Sequence, residues 1–87
     1  MMRPRKPLST SRASSTQHEF SHFVVFYIRE GEDLELRVDT HHVTTAYREA
    51  CKLMRDKKVD AVPKMLGYRT NEKLPPKYFE ITIRRVR

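Results

Sequence analysis

The sequence predicts an α+β domain: a small antiparallel sheet of three or four strands, in the order β-β-α-(β)-β, with one helix packed on one face. Three observations carry this. Two strand-like runs, "HFVVFYIRE" and "LELRVD", flank the short connection "GED". The apolar spacing then lengthens to a helical period over "TTAYREACKLM", and the chain closes on "KYFEITIRRVR", where alternation returns.

The first run is continuous in aromatic and β-branched residues, as a buried strand requires. Gly31 can take the positive φ of a tight connection, so the two runs read as a hairpin. In the second run Leu34, Leu36 and Val38 alternate with Glu35, Arg37 and Asp39, which gives the sheet one wet face. In the next segment Thr44 can cap a helix of about 13 residues, with Ala46, Tyr47, Ala50, Leu53 and Met54 on one stripe. Lys57 and Lys58 follow, where the helix dipole favours cations. "DAVPKML", residues 60–66, reads as a short strand that Pro63 confines to an edge or an irregular path. Gly67 then reads as a turn, and "RTNEKLPP" as a polar loop with Pro75–Pro76 holding it extended. The expected core is Phe23, Val25, Tyr27, Leu36, Val38, Ala50, Leu53, Met54, Phe79, Ile81 and Ile83. Val24, Phe26 and Ile28 alternate with that set, and if one sheet face is uncovered they form an exposed apolar strip, a mark of interaction surfaces.

The fold is assigned to residues 20–87. Residues 1–19 hold Pro4, Pro7, four basic residues and many hydroxyls, with Leu8 and Ala13 the only apolar side chains after the initial methionines. Such a segment cannot bury enough surface to offset its ordering entropy, so it is expected to be a disordered, basic, Ser-rich tail. Its Arg- and Ser-rich composition is also that of an organelle transit peptide, but the two prolines and missing apolar spacing oppose an amphipathic helix.

The formal net charge of +7 is unevenly spread. Segment by segment it is +3 over residues 1–19, −3 over 20–50 and +7 over 51–87. That polarity suits an anionic partner, either nucleic acid or an acidic protein face. The single cysteine, Cys51, excludes an internal disulfide and points to a reducing, cytoplasmic setting. No apolar run approaches the roughly 20 residues of a membrane span.

Catalytic signatures are absent from the sequence. His41 and His42 are adjacent and would point to opposite faces of a strand. Together with His18, His22 and Cys51 they make no zinc spacing. Cys51 reads as a half-buried packing residue of the helix. Gly31 and Gly67 stand alone, so no glycine-rich phosphate loop exists. The acids of "REGEDLE" read as a solvated turn. No enzyme activity, cofactor or metal is expected.

Two features point to binding. In-phase continuation of Phe79, Ile81 and Ile83 would put Arg85 on the core face, which is untenable for a buried strand. The register is therefore expected to end or bulge near Arg84, with Arg84, Arg85 and Arg87 projecting as a cluster that clamps carboxylates or phosphates. Separately, Lys52, Arg55, Lys57, Lys58, Lys64, Arg69, Lys73 and Lys77 could follow a nucleic-acid backbone. Only Tyr68 and Tyr78 stand near them for base stacking.

The stretches "LELRVDTHHVTTAYREA" and "PKYFEITIRRVR" give the chain a resemblance to the small RNA-polymerase inhibitor of T-odd coliphages. The likeness covers about half of the chain and rests on a hairpin, a T-x-x-x-E-A helix start and a P-x-x-F-E-I-T closing strand. In that family an arginine pair on a strand contacts an acidic face of the host polymerase, which by resemblance falls on Arg84, Arg85 and Arg87. This chain departs from the family in the residues between helix and last strand, in its basic tail and in its higher overall charge. The expectation is a non-catalytic protein-binding module, a viral inhibitor or modulator that docks on an acidic surface of a host machine such as RNA polymerase. The alternative is a small basic nucleic-acid-binding protein held mainly by phosphate contacts.

Overall fold

In a computed structural model of the protein, residues 18–86 are described. The elements follow in the order β1 (Phe20–Arg29), β2 (Glu32–Val38), α1 (Val43–Leu53), β3 (Val59–Arg69) and β4 (Lys77–Arg84). They form one four-stranded antiparallel sheet in the order β2-β1-β3-β4, as the α+β reading expects. Among the described residues no helix is long and apolar enough to cross a membrane.

The helix covers one face. Phe20, Phe23, Val25, Ala46, Ala50, Val59, Val62, Met65 and Ile81 are buried. Tyr27, Leu36, Val38, Leu53, Met54, Phe79 and Ile83 pack partly buried against them, so every expected core residue contributes. At about 1.5–3 kcal/mol for each fully buried large apolar side chain, this cluster is the main source of stability. Val24, Phe26 and Ile28 lie on the opposite face and stay half-buried.

The segment read as a short strand, at an edge or on an irregular path, is the largest correction: it is long and interior, although irregular at Pro63. β3 is 11 residues long and sits in the interior of the sheet, between β1 and β4. Pro63 is tolerated there because both ladders slip around it: β1 pairing passes from Phe26↔Lys64 to Ile28↔Ala61, and β4 pairing from Val62↔Ile83 to Lys64↔Glu80. A residue without an N–H is thus placed where neither neighbour needs one. Gly67 is no turn. It lies within β3, and a Cβ there would stand 2.8 Å from the Phe20 ring and 2.9 Å from that of Phe23. The glycine makes room for two aromatic rings.

Smaller corrections concern the helix and the tail. The N-cap is His42, without a side-chain cap, rather than Thr44, and the helix has 11 residues. Tyr47 and Cys51 face solvent instead of the core. Residues 1–17 of the expected tail lie outside the described residues. His18 and Glu19, assigned to that tail, are tied to the end of β3. Thr70 donates its backbone N–H to the Glu19 carbonyl at 3.0 Å and its hydroxyl to the His18 carbonyl at 2.6 Å.

Candidate docking surface

β4 carries the expected bulge. Thr82 has φ 53°, and the strand ends at Arg84. Arg84 and Arg85 do not project together. Ile83 pairs with buried Val62 and packs on the core, so its neighbour Arg84, opposite Ala61, stands exposed on the uncovered face. Arg85 folds back instead. Its backbone N–H bonds the Asp60 carbonyl at 2.8 Å. Its guanidinium donates Nε to Val59 O at 3.1 Å, and Nη2 to Met54 O at 2.7 Å and Asp56 O at 3.0 Å. A charge that cannot enter the core thus bonds carbonyls at the C-cap of α1, in the following loop and at the start of β3, and that of Met54 is one of the helix-end groups without an intrahelical partner. Arg87 lies outside the described residues.

These bonds fix the α1–β3 loop, and Asp56 adds to them. Its carboxylate accepts from the Lys58 N–H at 2.9 Å and from Arg29 Nε at 2.9 Å. Both interactions hold its pKa below the ordinary value, the backbone bond from Lys58 contributing most and the Arg29 bond next. On the other side, the Glu30 N–H bonds the Lys58 carbonyl at 3.0 Å. The β1–β2 turn, the loop and the end of β4 are thereby joined at one corner.

This arrangement presents a ridge of cations. Arg48, Lys52 and Arg55 line one shallow groove on the helix side, and Lys57 and Lys58 line a second at the corner, together with Glu30 and Asp60. All five are exposed. The ion pairs among the described residues are Arg29–Glu30, Arg29–Asp56, Arg37–Asp39, Lys52–Glu49 and Arg69–Glu19. Arg48, Arg55, Lys57 and Lys58 therefore make no ion pair among those residues. Arg48 escaped the sequence reading, although its spacing of four from Lys52 is visible there.

The remaining cations of the proposed nucleic-acid set do not join the ridge. Lys64 stands on the uncovered face, its ammonium 5.0 Å from the centre of the Phe26 ring. Arg69 and Lys77 cover core aromatics, Phe20 and Phe79, and Arg69 pairs with Glu19. Lys73 lies in the β3–β4 loop, where its N–H bonds Asn71 Oδ1. The eight are thus spread over both faces and both ends. The histidines serve local structure: His41 Nδ1 lies 2.9 Å from the Phe20 carbonyl, His18 stacks on His41, and His22 stacks on Tyr68.

No family model matches the chain, and neither a curated protein nor a solved structure matches it.

Proposed function

We propose that this protein is a non-catalytic binding module that docks its basic ridge on an acidic surface of a larger assembly, such as the RNA polymerase to which the sequence resemblance points. The observation that carries this reading is the ridge itself, Arg48 and Lys52 on α1 with Arg55, Lys57 and Lys58 on a loop pinned by Arg85 and Asp56. Like charges held side by side repel, and an acidic partner relieves that repulsion. A loop already held in place also loses little entropy on binding. Arg85 is then a positioning residue. The contact shifts from the end of β4 to the corner that β4 braces.

The ridge also supports a second reading, a nucleic-acid-binding protein. Arg48 and Lys52 fall on one helix stripe with Arg55 just past the helix end, and a line of cations can follow phosphates. Two facts favour a protein partner. Glu49, Asp56, Glu30 and Asp60 are interspersed with the ridge; a phosphate backbone is anionic throughout, whereas an acidic protein face also presents hydrogen-bond donors to such carboxylates. Residues 18–86 also carry only +2, from thirteen basic and eleven acidic residues.

Capture from lysate with the tagged full chain, with and without nuclease, separates the readings. The variant for comparison is Arg55→Glu/Lys57→Glu/Lys58→Glu. A discrete protein that survives nuclease and is lost with the variant is the expected result. Material that vanishes with nuclease would instead establish the nucleic-acid reading, and its affinity should fall with a log–log salt slope of about −0.9 per phosphate contacted. A partner retained in full by the variant would refute the ridge under either reading.

A further inference from the structure

Among the described residues no element covers the face of the sheet away from α1, and its register defines three rows across the strands. The first is Asp33, Ile28, Ala61 and Arg84; the second is Glu35, Phe26, Lys64 and Glu80; the third is Arg37, Val24, Leu66 and Tyr78. The two central strands supply an apolar middle, and the two edge strands a charged and polar rim. That is the anatomy of a protein–protein interface, with an apolar centre inside a polar border. Its charges, three acidic and three basic, cancel, so the face offers no net attraction to nucleic acid.

The face also carries a socket and a plug. A groove of about 420 Å³ runs over β1 from β2 to β3, lined by Phe26, Ile28, Pro63 and Lys64, with Asp33 and Glu35 among its walls. An apolar floor beside two carboxylates suits an arginine, whose stem is apolar and whose guanidinium is a fork of donors. On the same face, at the far edge of the sheet, Arg84 stands exposed, with no ion-pair partner among the described residues.

The geometry points to a second copy of this chain as the occupant of this face. The two sheets pack about a two-fold axis parallel to the strands, and Arg84 of each copy seats in the groove of the other. Such an axis reverses the strand order, so β2 meets β4 and β1 meets β3, and each row meets its own reverse. In the first row Asp33 faces Arg84 and Ile28 faces Ala61, each twice, as an isologous contact requires. In the third row Val24 faces Leu66, and Arg37 faces the Tyr78 ring, a cation–π pairing. In the middle row Lys64 faces Phe26. Glu35 meets Glu80 there, the one like-charged pair of the face, with Lys64 of the Glu80-bearing copy one strand away.

Sheets packed in this way lie about 10 Å apart and within about 30° of alignment. The strands of this face run 7 to 11 residues, and a dimer built on it alone is expected to form reversibly with concentration. Self-association goes beyond the docking reading, because the ridge is on the helix side and stays open in both copies.

Sedimentation velocity on the full chain from about 5 to 500 µM tests it. The expected result is a shift with concentration from 10.4 kDa to twice that mass. Asp33→Arg and Arg84→Glu should each raise the dissociation constant at least about tenfold, and the double variant, which swaps the two charges, should restore it to within about threefold. Both sites are exposed, and far-UV circular dichroism checks that the variants fold. A chain that stays monomeric throughout overturns the proposal, and so does a dimer indifferent to both reversals or not restored by the swap. None of these outcomes bears on partner capture through the ridge.

Discussion

Arg85 shows how one residue can answer two demands. Alternation along β4 assigns it to the core side, and an unpaired guanidinium cannot be buried there at acceptable cost. It turns at the strand's end and directs its donors to the carbonyls of Met54, Asp56 and Val59. Hydrogen bonds from a charged group each contribute about 1.5–3 kcal/mol, and their sum is reduced here by partial solvent access. Arg85→Ala is therefore expected to cost about 2–3 kcal/mol in chemical denaturation. Arg85→Lys should recover only part of this, because one ammonium cannot span three carbonyls in the geometry of a planar fork. Full stability in the alanine variant would show that the brace contributes nothing. The conflict at position 85 was legible in the sequence. Its resolution was not, because it depends on helix-end carbonyls some thirty residues earlier in the chain.

At the level of elements, legibility followed period. β2, α1 and β4 repeat their apolar residues regularly and β1 is an unbroken apolar run, so their existence and their contributions to the core could be read. β3 could not. Pro63 and Gly67 are strong punctuation when read locally, yet one sits at a slip in both ladders and the other beneath two phenylalanine rings. Misreading β3 also hid Val59, Val62 and Met65, three of the largest fully buried side chains. The ridge was half legible. Lys52, Arg55, Lys57 and Lys58 stood out as a basic helix end, but the bonds that hold the loop are long-range.

That loop should respond to acid through Asp56. Its folded pKa lies below the ordinary carboxyl value, so the unfolded chain takes up the proton first as pH falls. The stability it contributes is complete above about pH 5 and is lost as pH drops through the ordinary value of 3.8 toward the folded one. Between pH 5 and 3, Asp56→Asn should therefore show a shallower fall in its urea midpoint than the wild type. Identical slopes would mean that the carboxylate does not hold the loop.

Over the whole molecule, the sheet separates two surfaces of different character. The helix side is basic and carries cations without ion-pair partners among the described residues. The open side is apolar at its centre, balanced in charge, and complementary to itself. Most of the +7 lies outside the near-neutral residues 18–86, in the N-terminal segment and Arg87. The five ridge cations must then act by local placement rather than by bulk charge. The resemblance to a polymerase inhibitor placed the contact on the last strand. With the ridge as the contact, that strand acts as its brace through Arg85 and supplies Arg84 to the opposite face.

The most direct test is a chemical-shift map of the isotopically labelled full chain during titration with the captured partner. Docking through the ridge predicts that the largest changes fall on Arg48–Lys58, with Val24, Phe26, Leu66 and Tyr78 unmoved. Changes centred on the open face or along β4, with the ridge unaffected, would contradict it.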